Sequence, residues 1–372
     1  MSMLEVREVS KVYKTGTFGG DLLPALRHVS FDIDQGQVVS LIGQSGSGKS
    51  TLGKIILRLT SPSAGAVVFE GKDVGTWSKS QLRDYYRHVQ GVFQDPFSSY
   101  NPLYKADRVL EMVRSVYFPD VRAREWESKL RSALEAVSLN PADVLNKFPH
   151  QLSGGQQQRL LIARALLLEV RLLIADEIIS MLDASTRVDV LNLLVDLKRK
   201  GLGVLFITHD LSLGNYISDR TVILRKGVIV EMGDTRKVFG NAQHPYTKSL
   251  LTAVPHLHQK WQSNGSGARA HSVVEGERPT DLEGPVGGSV ALGESRRYSK
   301  SPLHPQNAAA SEASGAQGPR AGGARPSLME GGGPRWNRRF SPGGRTVAEV
   351  LAAAPAPELV EYEPDHFVAV GY

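Results

Sequence analysis

A glycine-rich stretch of nine residues constrains this chain more than any other feature. It fits the pattern G-x-x-x-x-G-K-[ST] at every fixed position and reads Gly43-Gln44-Ser45-Gly46-Ser47-Gly48-Lys49-Ser50-Thr51. The apolar residues 38–42 before it are typical of a buried parallel strand, and residues 52–59 after it are typical of a helix. A strand, a glycine loop and a helix in this order are the context that a phosphate-binding loop requires.

The residue types of this loop suit a triphosphate. Gly43, Gly46 and Gly48 carry no Cβ, so successive backbone amides can converge on an anion. The Lys49 ammonium and the helix N-terminus add positive charge, and the Ser50 hydroxyl is a ligand for Mg²⁺. The alternative is a glycine-rich turn followed by a solvated lysine. We therefore expect residues 43–51 to bind a triphosphate and Mg²⁺.

Length and composition limit the other possibilities. A chain of 372 residues allows one domain of about 200–250 residues and a smaller part. The absence of cysteine excludes disulfides, thiolate zinc sites and iron–sulfur clusters. No run approaches the ~18 apolar residues of a membrane helix, and residues 1–10 lack a signal-peptide pattern, so we expect a cytoplasmic protein.

The net charge of +6 does not point to nucleic acid. Residues 259–345 contain 12 Lys or Arg and 7 Asp or Glu, so most of the excess lies outside the glycine-loop region. The same segment has 16 glycines and 8 prolines without a repeat, which is typical of a disordered low-complexity linker. Its arginine pairs leave contact with anionic lipid as an alternative.

The remaining pattern predicts an α/β protein. Alternating residues at 4–13 and 26–33 indicate a small antiparallel sheet, whereas helical spacing from 101 to 140 indicates an inserted helical region. Strands at 89–93, 172–177 and 203–207 complete a mostly parallel sheet with helices on both faces. Ser153 is placed to cap a helix.

Three polar residues follow strands of this predicted sheet. Asp176 and Glu177 end an apolar strand, where paired acids have no structural use unless a cation or a proton transfer occupies them. His209 follows the strand at 203–207, at the sheet edge where ligands bind in open α/β folds. A purely structural histidine is the alternative.

Seven landmarks stand in one order, and residues 1 to about 255 resemble the ATPase subunit of ATP-binding cassette (ABC) transporters. By this resemblance Tyr13 is the A-loop aromatic residue, Gly43–Thr51 is the Walker A loop, and Gln94 is the Q-loop glutamine. Leu152–Gln156 is the signature, and Asp176–Glu177 is the end of Walker B. Asp183 is the D-loop aspartate and His209 is the H-loop histidine. Tyr13 would stack on adenine, although an ordinary half-buried tyrosine is the alternative. Ile178 stands where proline is common, which we expect to loosen the backbone before Asp183.

Segments 94–102, 239–251 and 357–370 resemble the oligopeptide and dipeptide importer branch of this family. The resemblance implies a division of the chain. Residues 1–235 would be the nucleotide-binding domain, with a helical subdomain at about 95–165. Residues 236–258 would be a C-terminal extension, residues 259–345 a linker and residues 346–372 a tail segment. The iron–sulfur cluster that such tails often hold is excluded here by the lack of cysteine.

The resemblance also implies a mechanism. Two cassettes, identical or paralogous, would pair head to tail. ATP would then lie between the loop of one subunit and Ser153, Gly154, Gly155, Gln156 and Asp183 of the other. Glu177 would activate water, His209 would contact the γ-phosphate, and Mg²⁺ would be held by Ser50, Gln94 and Asp176.

The implied function is ATP hydrolysis that powers import of oligopeptides or dipeptides. The implied partners are a second cassette, two membrane permease subunits and an extracytoplasmic solute-binding protein, and the implied place is the cytoplasmic face of the cell membrane. Oligosaccharides and metal complexes are alternative cargoes. A soluble cassette ATPase that acts on DNA or ribosomes is the alternative from another class, but this chain has a single cassette and neither zinc module nor coiled coil.

Overall fold

The computed structural model describes residues 2–15, 21–253, 346–353 and 357–370. The predicted linker at 259–345 lies outside the described residues. The strands are β1 (Leu4–Lys14), β2 (Leu22–Ile33), β3 (Val38–Ile42), β4 (Ala64–Phe69), β5 (Lys72–Asp73), β6 (Val89–Val92), β7 (Leu172–Asp176), β8 (Gly203–Thr208), β9 (Arg220–Arg225), β10 (Val228–Asp234), β11 (Glu358–Glu363) and β12 (His366–Val370). The helices are α1 (Lys49–Ile56), α2 (Lys79–His88), α3 (Arg108–Tyr117), α4 (Ala123–Ala136), α5 (Pro141–Val144), α6 (Gly154–Leu166), α7 (Ala184–Arg199), α8 (Leu211–Ile217), α9 (Thr235–Gly240), α10 (Pro245–Thr252) and α11 (Val347–Ala352).

Within the described ranges the strands form two sheets. The smaller sheet has the order β2-β1-β4-β5, and its neighbours are antiparallel. The larger sheet has the order β11-β12-β10-β9-β3-β8-β7-β6, and strand β3 lies in it between two parallel partners, β8 and β9. The α/β class predicted from the sequence, with its small antiparallel sheet, is confirmed.

Both faces of the larger sheet are covered, which explains why its central strands are apolar throughout. Along β8, Val204 and Phe206 face one core cluster while Leu205 and Ile207 face another. The first cluster contains helices α3, α4, α6 and α7. The second contains helix α1 and the inner face of the small sheet. Helix α1 therefore lies between the two sheets, and the loop before it is fixed from both sides.

Two local predictions shift when compared with the structure. The helix expected to begin near Lys49 and to include residues 52–59 starts at Lys49 but ends at Ile56, because Arg58 leaves helical geometry with a φ of 57°. The helical region expected from 101 to 140 consists of α3 and α4, whose buried faces belong to the same core cluster as α6.

The C-terminal strands join the larger sheet. Strand β12 pairs antiparallel with β10, with Met232 opposite Phe367, and β11 pairs with β12 at the sheet edge. Residues distant in sequence from the cassette core thereby become part of its sheet. No helix in the described ranges is both long and apolar enough to cross a bilayer.

Candidate active site

The glycine loop connects β3 to α1 and needs its glycines for different reasons. A Cβ on Gly43 would lie 2.2 Å from the carbonyl oxygen of Leu224. Gly48 has a φ of 108°, and a Cβ there would lie 2.6 Å from the carbonyl oxygen of Ala25. Larger residues at these two positions would therefore force the loop away from the strands that support it.

A cleft of about 670 Å³ opens beside this loop. Residues from six separate parts of the chain meet in it. Its lining consists of Ala25, Gln44, Ser45, Gly46, Gly48, Lys49, Ser50, Thr51, Gln94, Glu177, His209 and Leu250. Ala25 and Leu250 were not predicted from the sequence, because no pattern in either segment indicates proximity to the loop.

Lys49 is buried at the start of α1. Its Nζ donates hydrogen bonds to the carbonyl oxygens of Gly43, at 2.7 Å, and Gln44, at 3.1 Å. Burial lowers the pKa of the Lys49 ammonium, and the carboxylates of Glu177 and Asp176 oppose that change. This ammonium is thus held at the base of the cleft, where an anion would meet a positive charge that water screens poorly.

Ser50 and Asp176 provide two oxygens at the floor of the site. The Ser50 hydroxyl donates to Oδ1 of Asp176 over 3.3 Å. Burial raises the pKa of the Asp176 carboxyl, while the bond from Ser50 acts in the opposite direction. Hydroxyl and carboxylate oxygens are the ligands that Mg²⁺ prefers, and Gln94, whose side chain carries an amide oxygen, lines the same cleft. The residues present therefore fit a magnesium ion.

Glu177 and His209 follow adjacent strands, as predicted, because Asp176 pairs with Ile207 in parallel register. Nδ1 of His209 lies 3.2 Å from Oε1 of Glu177. Glu177 has a φ of 50°, a costly conformation for a residue other than glycine, and its amide donates to the carbonyl of Ile207 at 2.9 Å. The backbone thus turns the Glu177 side chain into the cleft.

The segment after Glu177 is held by packing. Ile178 and Ile179 are almost completely buried in the core cluster that contains α6 and α7. Turn hydrogen bonds join Ser180 to Glu177 and Leu182 to Ile179, at 3.1 Å and 3.2 Å. These contacts restrain the segment without the common proline, and the looser backbone that we expected before Asp183 remains a prediction.

The signature residues do not line this cleft. Ser153 accepts a hydrogen bond from the amide of Gln156 and caps α6, whereas Gly154 is the first residue of that helix. A Cβ on Gly155 would lie 2.4 Å from Cγ2 of Thr186. The start of α6 is therefore packed tightly against α7, with the exposed Ser153 at its end.

Two other predicted residues also lie outside the cleft lining. Asp183 caps α7, and hydrogen bonds from Ser185 and Thr186 lower the pKa of its carboxyl. Tyr13 lies near the end of β1, about a third exposed, with the Lys11 ammonium 5.1 Å from its ring centre. Its neighbours 16–20 lie outside the described residues, so its predicted contact with adenine remains a prediction.

Comparison with known proteins agrees with this geometry. A family model described as ABC transporter matches residues 26–180, and one described as the C-terminal region of the oligopeptide/dipeptide transporter matches residues 230–278. A protein of Brucella ovis, provisionally named a peptide import ATP-binding protein, is 41% identical over 77% of this chain and 87% of its own length. The oligopeptide transport ATP-binding protein OppF of Haemophilus influenzae is 36% identical over 71% of this chain and 79% of its own.

A solved structure supports the same assignment. The ATP-binding cassette MJ0796, determined as a dimer bound to ADP and Pi after hydrolysis, superposes with a TM-score of 0.57 and is 30% identical. The match covers 63% of this chain and 99% of that one. The chain belongs to the ABC transporter family, in its oligopeptide/dipeptide branch, and is an ATP-binding subunit that hydrolyses ATP.

Proposed function

We propose that this chain powers the uptake of oligopeptides or dipeptides, by enclosing ATP at the boundary between two cassettes. The observation that carries the proposal is the division of the site residues. Lys49, Ser50, Glu177 and His209 gather in one cleft, while Ser153 lies outside it at an exposed helix start. A second cassette placed head to tail would complete each cleft with the α6 end of its partner.

The start of α6, which carries the signature residues Leu152–Gln156, is chemically suited to complete the cleft of a partner cassette. Ser153 uses its hydroxyl oxygen to accept from Gln156, so its hydroxyl proton remains able to donate to a phosphate oxygen. The first amides of α6 have no acceptor within the helix and add the positive end of its dipole. We expect Gly154, Gly155 and Asp183 to contribute from the same side of the boundary.

Within the cleft, each residue has a proposed role. Mg²⁺ bound by Ser50, Asp176 and Gln94 would supply charge neutralisation at the β- and γ-phosphate oxygens. Lys49 would exchange its bonds to loop carbonyls for bonds to those phosphates. Glu177 would orient the attacking water and accept its proton, and His209 would hold the γ-phosphate and orient Glu177.

Several apolar side chains between Gln94 and the end of α3 are exposed, which suits a membrane partner. We call these residues the helical face, and they are between 43% and 80% exposed: Phe97, Leu103, Tyr104, Met112 and Val116. It follows Gln94 in the chain, so occupation of the cleft by phosphate and contact with a permease subunit would be mechanically linked. We propose that one permease subunit docks on this face of each cassette, two in the whole assembly, with the cassettes on the cytoplasmic side.

The names of the relatives support peptides as the cargo. We propose an extracytoplasmic solute-binding protein as the donor. The proposal is tested by purifying the tagged chain from detergent-solubilised membranes of its own cells. Integral membrane proteins encoded beside it should co-purify, and peptide should stimulate ATP hydrolysis of the assembly. Sedimentation with ribosomes or DNA, without membrane subunits, would contradict the proposal.

A further inference from the structure

The segment His244-Pro245-Tyr246 connects the C-terminal extension to the glycine loop. Nδ1 of His244 accepts a hydrogen bond from the amide of Tyr246 at 3.1 Å, and Pro245 is the first residue of α10. This cap fixes the first turn of α10. The Tyr246 ring is 8% exposed and lies in the apolar cluster that includes Ile42, the last residue of β3.

The Tyr246 hydroxyl reaches the loop itself. The backbone amide of Gln44 donates to this hydroxyl at 3.0 Å. The carbonyl of the same residue accepts from Nζ of Lys49 and from the amide of Ser47, both at 3.1 Å. Gln44 is thus held through its amide by α10 and through its carbonyl by the loop. Leu250, one turn further along α10, lines the cleft.

A buried carboxylate joins α10 to the C-terminal strands. Glu231 of β10 is fully buried, and its carboxylate accepts from the amides of Gln243 and His244 at 2.7 Å and 3.1 Å. Nε2 of His366, on β12, lies 2.8 Å from the same carboxylate, and Nδ1 of His366 lies 3.0 Å from Glu363. A buried carboxylate needs such partners, so loss of one disturbs the others.

These contacts form one continuous chain of hydrogen bonds. It runs from His366 through Glu231 and His244 to Tyr246, and from Tyr246 to Gln44. We propose that Tyr246 is a positioning residue for the phosphate-binding loop, and that the C-terminal strand pair supports it through the bond between His366 and Glu231. The inference rests on the proposed binding of ATP phosphates by this loop.

The first test removes only the Tyr246 hydroxyl. In the full chain, Tyr246→Phe keeps the packed ring but deprives the Gln44 amide of its acceptor. We expect the dissociation constant for a fluorescent ATP analogue to rise roughly two- to tenfold, the range of one lost hydrogen bond. The matched control is Tyr85→Phe, a buried tyrosine whose hydroxyl donates to the carbonyl of Ile56. It should lower the melting temperature and leave the dissociation constant unchanged.

The second test separates positioning from stability. His366→Leu removes the donor to Glu231, whereas His366→Gln keeps an N–H group. We expect the first variant to weaken ATP binding by about twofold or more and the second to weaken it less. In the double variant with Tyr246→Phe, the combined weakening should be smaller than the product of the two, because both act through one chain of contacts.

Three results would overturn the inference. The first is a dissociation constant for ATP that does not change in Tyr246→Phe. The second is a lower melting temperature in His366→Leu without weaker ATP binding. The third is a double variant whose weakening of ATP binding equals the product of the two single effects. Failure of the proposed function is recognised separately, because then the wild-type chain itself would bind no ATP, or would bind it equally well after Lys49→Ala.

Discussion

Nδ1 of His209 lies 3.2 Å from Oε1 of Glu177, at the carboxyl ends of two adjacent parallel strands. The Glu177 side chain is 19% exposed and that of His209 is 60% exposed, so the pair spans the wall and the mouth of the cleft. An imidazole in this position can fix the carboxylate and still present its other nitrogen to a phosphate oxygen. The pair is therefore expected to act as one unit in hydrolysis.

Replacement of His209 should uncouple binding from hydrolysis. In His209→Ala we expect kcat for ATP hydrolysis to fall by roughly two to three orders of magnitude, because Glu177 loses its orienting partner and the phosphate loses a donor. The dissociation constant for ATP should change by less than about threefold, since most phosphate contacts come from the loop. Steady-state hydrolysis and a fluorescent ATP titration measure the two quantities.

His88→Ala is the matched control for that substitution. His88 lies outside the cleft lining, and its ring contacts the carbonyl of Glu169. Its replacement should leave kcat at the wild-type value. A loss of kcat in both variants would instead indicate general sensitivity of the fold to histidine replacement.

Gly155 should be required for packing at the start of α6. Because a Cβ there would lie 2.4 Å from Cγ2 of Thr186, Gly155→Ala is expected to cost about 1–3 kcal/mol of unfolding free energy. Thr186→Ser removes that methyl group but keeps the hydroxyl that bonds Asp183. The double variant should recover most of the stability in a thermal denaturation experiment. No recovery would show that the clash is not the cause.

The sequence allowed the cleft to be predicted from local signals. A glycine loop between a strand and a helix, and polar residues after Asp176 and Thr208, are patterns confined to short stretches whose geometry the parallel sheet dictates. The bond between Tyr246 and Gln44 carries no such signal, because it joins segments about 200 residues apart through one hydroxyl. The pairing of β12 with β10 could not be predicted either, because the alternation of apolar and polar residues along a strand does not indicate which strand it pairs with.

His244 should make stability depend on pH. Burial lowers the pKa of the His244 imidazole, with Glu231 acting in the opposite direction. The unfolded chain therefore takes up the proton more readily than the folded one. The stability from a neutral His244 is complete above the unfolded pKa of about 6.5 and declines as the pH falls below that value.

His244→Asn tests this effect, because asparagine is a good helix cap that does not titrate. Between about pH 7.5 and about pH 5.5, the melting temperature of the variant should fall less than that of the wild type. The difference between the two slopes reports the contribution of His244. Identical slopes would remove His244 as the cause.

The central claim is that Glu177 performs hydrolysis of ATP held at a boundary between two cassettes. The direct measurement is ATP turnover by Glu177→Gln, together with light scattering and identification of the nucleotide that co-elutes in gel filtration. We expect turnover to fall by at least about two orders of magnitude while ATP-bound cassette pairs accumulate and retain unhydrolysed ATP. Wild-type turnover by this variant, or retained ATP on single cassettes when the partner cassette is present, would contradict the account.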